Sequence, residues 1–398
     1  MFSKFIFRTI LFLFIGNFSM NGQMKIDEFT SIINQVKLEH APDGRVAVFD
    51  IQVESDDQKI KLLGETNLEA AKNQLLSTLN LKGMKFVDEI KILPASELGE
   101  KVFGVVTLSV VNLRKEPKHP AEMVTQALLG TPINVLKKAK DGWFLIQTPD
   151  NYLGWVDDDA IQIMDKRVFE RWQKSERVIY TSMFGHCFTD KDETGDIVCD
   201  LVQGNILQIL SENEKSLNVE LPDGRSGYIL KSHATKLEDW LSSIDLSAES
   251  ILTLAHKYMG IPYLWGGTSN KGFDCSGFTK TIFFMHGLVL PRDASQQVQI
   301  GEEVDTKSGF EKLKPGDLLF FGTKASESTK EKVTHVGIYI SDLQFIHEGG
   351  RVKINSFNPN KENYSKYRTN TFLRAKRILN SVGEKGVVPI KDTRYFNK

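Results

Sequence analysis

The sequence predicts an α+β C-terminal domain preceded by two small β-barrels and, ahead of those, a small α/β unit. Three observations predict it. A cysteine, Cys275, opens an apolar helical stretch and is followed by alternating strands that carry histidines. Two segments share a strand-and-glycine pattern at matched spacing. Before them the hydrophobic pattern switches from strand to helix and back. The chain has 398 residues, enough for roughly two to four domains. The divisions expected are a leader over 1–22, the α/β unit over 24–97, barrels over 101–164 and 176–237, the α+β domain over 246–378 and a polar, basic tail over 379–398, draped or frayed.

Composition narrows the function classes. Charged residues make up 25% and apolar residues 41%, as in soluble globular proteins. A net charge of -1 gives no reason to expect nucleic acid or an anionic membrane as partner. At the N-terminus Lys4 and Arg8 precede the apolar run Ile10 to Ile15, followed by small and polar residues to Gln23. That is the layout of a secretory signal, and the run is short for a membrane span. The mature protein is therefore expected outside the cytoplasm, in the periplasm or beyond the cell, with no membrane span. Only three cysteines occur, too few for a disulfide framework. Cys187 and Cys199 are placed to bridge a hairpin or to stay as thiols, and either leaves Cys275 unpaired.

In the α/β unit, Val46 to Val53 and Phe86 to Leu93 read as strands and Leu68 to Leu79 as an amphipathic helix. A plain structural module is the simplest reading of it. Each barrel segment has a Gly-led apolar strand, from Gly130 and from Gly204, and ends on a Gly-aromatic pair, Gly154-Trp155 and Gly227-Tyr228. The gaps between these glycines are 24 and 23 residues, which argues for a duplication. The residues, with Val111-Asn112-Leu113-Arg114 in the first copy, resemble bacterial SH3-like domains, and Trp155 is expected in the barrel core. Asp165 to Arg177 reads as a short helical linker. Further on, Ser247 is placed to cap a helix with an apolar stripe at Ile251, Leu254, Ala255 and Tyr258.

The chemistry centres on Gly272-Phe273-Asp274-Cys275-Ser276-Gly277-Phe278. Asp274 is placed to cap a helix, with Phe278, Ile282 and Met285 at helical spacing. Cys275 then sits at the positive end of the helix dipole, a field that favours thiolate. Small neighbours, Ser276 and Gly277, leave room for a substrate backbone, and the Cys275 N–H is placed to face a developing oxyanion. A sulfur nucleophile also needs a base. Of eight histidines, His40, His119, His186, His233, His256 and His286 lie in turn or helical contexts and read as structural. His335 alternates with Val336, Ile338 and Ile340 in a strand, beside the space left by Gly337. His347 follows in a second strand. A hairpin centred on Ser341 sets the two histidines directly opposite, within about 5.5 Å at Cβ. A two-residue loop instead turns His347 to the other face.

These residues resemble the NlpC-type cysteine peptidases of bacterial cell walls, whose domain is papain-like. The matching pieces are Tyr263-Leu264-Trp265-Gly266-Gly267, Phe273 to Phe278, Pro291-Arg292-Asp293-Ala294-Ser295-Gln296-Gln297, Leu313 to Phe321 and His335 to Tyr339, in the family's order over about 130 residues. The resemblance implies attack by Cys275, His335 as base and His347 as the group that orients it. The arrangement of modules is similar to a narrower group that cleaves the γ-D-glutamyl bond to a diamino acid in murein peptides bearing a free N-terminal L-Ala. For this group the implied substrate-binding residues are Asp274, Ser276, Tyr263, Trp265 and Ser295, with Glu122 and Tyr152 supplied by the first barrel. Asp274 or Glu122 is the implied anion for the substrate ammonium. No cofactor or metal is called for, and a monomer is expected. The rival readings are an amidase cutting between muramic acid and L-Ala, a wall-binding protein without activity, and a zinc site made of the same Cys and His residues.

Overall fold

Phe29, Ile32, Ile33 and Val36 recur at helical spacing and are buried, so the segment Met20–His40 packs as a helix. The sequence reading missed it, and it starts inside the stretch assigned to the leader. The computed structural model describes residues 20–56 and 59–396. Lys4, Arg8 and the apolar run of the expected leader lie outside the described residues. The chain divides into two units, up to Ile92 and from Leu93 onward. In the first, strands Phe49–Asp56 and Lys59–Thr66 run antiparallel, and Val87–Ile92 joins parallel to the second. Helix Glu69–Leu81 supplies the crossover and buries Ala71, Leu75 and Leu79. The unit closes at Ile92 rather than at residue 97. The Ala95 N–H already donates to the Leu136 carbonyl of the first barrel, 2.8 Å away.

The second unit holds both barrels and the C-terminal α+β domain. Each barrel is a seven-stranded sheet. Read as positions within each copy, the two strand orders are identical. Gly130 and Gly204 both take a positive φ, 82° and 93°, at the equivalent turn. Gly130 also lets the copies meet, since a Cβ there would stand 2.2 Å from the Ile206 carbonyl oxygen. Val156 fills the first core, while Trp155 is half-exposed beneath the Lys137 ammonium, which corrects its expected burial. The linker is a helix, Lys166–Lys174, capped by Asp165.

The α+β domain is a six-stranded antiparallel sheet with helix Cys275–Phe284 against one face. Phe278, Ile282 and Phe283 of that helix bury against Val336, Ile338 and Ile346 of the sheet. The other face packs Phe321, Phe345, Phe357 and Phe372. The tail is ordered by packing rather than frayed. Val388–Pro389 pairs with Leu288–Val289, Ile390 is fully buried, and the Tyr395 hydroxyl bonds Thr131 at 3.1 Å. Among the described residues no helix is long and apolar enough to cross a membrane.

Candidate active site

Asp274 caps the nucleophile helix, accepting from the Gly277 N–H at 2.7 Å. Cys275 is thereby fixed at the first helical position, buried, with the backbone N–H groups of Val336 and Ser276 close enough to favour its thiolate. These donors favour thiolate, but burial and then the neighbouring Asp274 charge outweigh them and push the thiol up to about 11. The expected thiolate is thus corrected to a resting thiol, which needs a base to act. Gly277 serves packing rather than substrate approach. A Cβ there would stand 1.9 Å from the Gly267 carbonyl oxygen.

His335 lies on strand Lys332–Tyr339, one residue before the Val336 N–H that favours the thiolate. Its hairpin partner Gln344–Glu348 pairs Ile338 with Ile346 and Tyr339 with Phe345. Continuing that register sets His347 opposite Gly337, not opposite His335. The hairpin therefore turns one residue later than expected, helped by positive φ at Asp342 and Leu343. The shift is even, so both histidines stay on one face. Gly337 leaves the room for it, since a Cβ there would lie 2.9 Å from the His347 Cβ. His347 leans diagonally, and its Nδ1 stands 2.8 Å from His335 Nε2, with the rings perpendicular.

The proton positions follow from the far end of this chain. Asn355 Nδ2 donates to the Asn363 carbonyl at 2.9 Å, so Asn355 Oδ1 faces His347 Nε2 at 2.8 Å. His347 must then donate from Nε2 and accept at Nδ1, and His335 must donate from Nε2. The Nδ1 lone pair of His335 is left for the thiol proton. Burial, followed by the charges of Arg368, His347 and Lys353, holds His335 well below its ordinary value of 6.5. Burial likewise brings His347 down to about 4. Both rings are neutral at physiological pH. The sequence reading missed Asn355 and Asn363, which no local pattern marks.

Behind the cysteine, Arg292 is 1% exposed and grips Asp274 with two nitrogens, at 3.1 and 2.5 Å. It also donates to Ser276 Oγ at 3.1 Å and, across the domain boundary, to Thr125 Oγ1 of the first barrel at 2.8 Å. Burial alone would weaken the guanidinium's hold on its proton, but the charge and hydrogen bonds of Asp274, together with the Asp293 charge, outweigh it and raise its pKa. The Gly266 N–H completes the shell around Asp274. Its lone pairs are spent, which corrects the expectation of Asp274 as an ammonium receptor. Ser276 is buried in the same cluster.

The first barrel meets the catalytic domain along Met123–Leu128. Gln126 receives the Thr268 N–H at 3.0 Å. Tyr152 is 5% exposed, and its hydroxyl donates to Asp293 Oδ2 at 3.0 Å. Asp293 is an acid that the sequence reading quoted in a motif without giving it a role. Glu122 is half-exposed and accepts from the Trp265 indole at 3.1 Å. Tyr263 and Trp265 are exposed on the loop before the cysteine, and Ser295 is half-buried two residues after Asp293. Among the described residues, the only acid, His and Cys groups close enough to share a metal ion are Asp157, Asp158 and Asp159 on the barrel surface. Cys275, His335 and His347 do not converge in that way, and the relay already occupies His347 Nδ1.

A buried thiol at a helix start, a neutral histidine relay and two SH3-like barrels ahead of them define a cysteine hydrolase of papain-like fold. The sequence pattern of the NlpC/P60 family matches residues 260–374, and that of the bacterial dipeptidyl-peptidase Sh3 domain matches residues 113–161. A Bacillus cereus relative named Gamma-D-glutamyl-L-lysine dipeptidyl-peptidase is 32% identical over 57% of this chain and 67% of its own length. Dipeptidyl-peptidase 6 of Lysinibacillus sphaericus is 27% identical over 64% of this chain and 91% of its own. The crystal structure of an NlpC/P60 family protein from Bacillus cereus ATCC 10987 superposes with a TM-score of 0.58 at 26% identity, covering 70% of this chain and 99% of that one. The chain belongs to the NlpC/P60 family.

Proposed function

We propose that this protein is a cysteine peptidase that cuts the γ-D-Glu to diamino acid bond of murein peptides bearing a free N-terminal L-Ala. The observation that carries the reading is the acidic wall where the first barrel meets the catalytic domain: Tyr152 on Asp293, with Glu122 on Trp265 nearby. Two acidic side chains so placed suit a short peptide that begins with an ammonium group. An acetylated amine offers no cation to these carboxylates and so forfeits the attraction that a free ammonium would gain there. The names of the relatives support the same bond. The leader pattern at residues 1–22 supports action outside the cytoplasm, and a monomer suffices, since one chain supplies every group named.

The chemistry follows from the proton positions. Cys275 Sγ attacks the γ-carbonyl carbon while His335 Nδ1 takes the thiol proton. The oxyanion forms beside the Cys275 N–H. Collapse breaks the C–N bond, and the leaving amine takes the proton from His335. Water then attacks the thioester with His335 again as base, releasing L-Ala-γ-D-Glu and the thiol. His347 and Asn355 hold the imidazole in the tautomer this sequence needs.

The test pairs L-Ala-γ-D-Glu-diaminopimelate with its N-acetylated form. The free peptide should be cleaved and the acetylated one lose most of its kcat/KM. Equal cleavage of both defeats the free-amine reading, and release of L-Ala from glycan-linked stems would favour the amidase instead.

A further inference from the structure

Two cations stand on the catalytic face of the sheet without an ion-pair partner among the described residues. Lys353 is the direct cross-strand neighbour of His347 and therefore shares its face. Arg368, on helix Lys366–Thr371, lays its guanidinium 5.6 Å from the Phe321 ring centroid, and Phe321 is 5.7 Å from the His335 ring on that same face. Both side chains are half-buried. Most other strong cations near the site are paired, Arg292 with Asp274 and Lys280 with Asp150. Two uncompensated cations beside one pair of histidines cost electrostatic energy, because each disfavours protonation of the imidazole that must carry a proton during turnover. An anion between them removes that cost.

The direction of the substrate supplies the anion. The acyl portion points toward the first barrel, on the Asp274 and Arg292 side of Cys275. The leaving group has to lie beside His335, which returns a proton to its nitrogen, and so extends over the face that carries Lys353 and Arg368. We propose that Arg368, assisted by Lys353, binds a carboxylate of the leaving diamino acid, the α-carboxylate of a peptide that ends there. This rests on the peptidase reading above and adds the leaving-side specificity. The planar guanidinium, held by stacking on Phe321, is suited to a carboxylate in two-pronged contact. Peptides whose diamino acid ends in a free carboxylate are then preferred over those continued or capped by an amide.

The experiment compares kcat/KM for L-Ala-γ-D-Glu-L-Lys and for its C-terminal carboxamide, in the wild type, Arg368→Gln, Arg368→Lys and Lys353→Gln. The wild type should favour the acid by at least about tenfold, the low end for a hydrogen bond to a charged group. That ratio should fall toward one in Arg368→Gln, recover in part in Arg368→Lys and shrink less in Lys353→Gln. A wild-type ratio near one overturns the subsite without recourse to any variant. So does an undiminished ratio in Arg368→Gln. Failure of the wild type to cleave either peptide points instead to failure of the peptidase reading.

Discussion

At Asn355 the side-chain amide donates to the Asn363 carbonyl, and this turns its oxygen toward His347. Asn355 and Asn363, one step behind His347, thereby decide which nitrogen of His335 is basic. Asn355→Leu should lower kcat by roughly a hundredfold or more, the lower range for loss of positioned acid–base catalysis, with little change in KM. Asn355→Asp keeps an acceptor and should retain far more activity; equal loss in both would show that the relay is not what the residue supplies. The pH profile carries the same logic. His335 is held well below 6.5, so its neutral form persists into mild acid. The acid limb of kcat/KM should therefore lie below pH 6.5. The alkaline limb should follow the substrate's own α-amino group, about pH 8, and should be absent for a peptide whose recognition ignores that amine. The placement of Cys275 at a helix start and of His335 in a strand was legible in the sequence, because a cysteine after a capping residue and a histidine in an alternating strand each leave a local signature. Asn355, Asn363 and Asp293 were not: their partners lie in other strands or in another domain, and only folding pairs them.

Strand Gln344–Glu348 presents opposite chemistries on its two faces. His347 enters the relay, and the next residue, Glu348, turns toward the apolar side with Ile346. Glu348 is fully buried, and neither carboxyl oxygen has a hydrogen-bond partner among the described residues. Burial pushes its carboxyl up from 4.5 to about 8. A raised carboxyl pKa means that the folded state keeps a proton the unfolded chain gives up. Its contribution is whole below pH 4.5 and is lost as pH climbs to about 8. Glu348→Gln removes that loss, so its Tm advantage over the wild type should widen between those limits and then level off. Melts at about pH 5 and about pH 8.5 that show the same difference would contradict this. The hairpin itself was half legible. Alternation set both histidines on one face, but the turn position depends on Asp342 and Leu343 accepting positive φ, which is unusual for either side chain and carries no sequence signal.

On the scale of the whole molecule, the two barrels share one topology, yet among the described residues it is the first that bonds Arg292 and Asp293, while the second meets the domain at Tyr258 and Asn270. The duplication was readable because its glycines sit at turns that every copy needs. The first barrel's share in the site was also expected, through Glu122 and Tyr152, from the resemblance; the bond from Arg292 to Thr125 across the domain boundary left no local signal. The second copy carries a different feature. Cys187 and Cys199 face each other across strands Phe184–Phe188 and Ile197–Val202 as free thiols. Their mutual hydrogen bond, then burial, raises Cys187, while the same bond lowers the half-exposed Cys199. Small alkylating reagents act on whichever thiolate is most populated and accessible. In this chain Cys199 is the partly exposed thiol that is lowered, whereas Cys275 is buried and raised. Iodoacetamide at neutral pH should therefore modify the protein, as intact mass will record, before hydrolysis is lost. Counting active sites in this protein calls for an electrophile built on the dipeptide itself, because a general thiol stain will count the ornament before the tool.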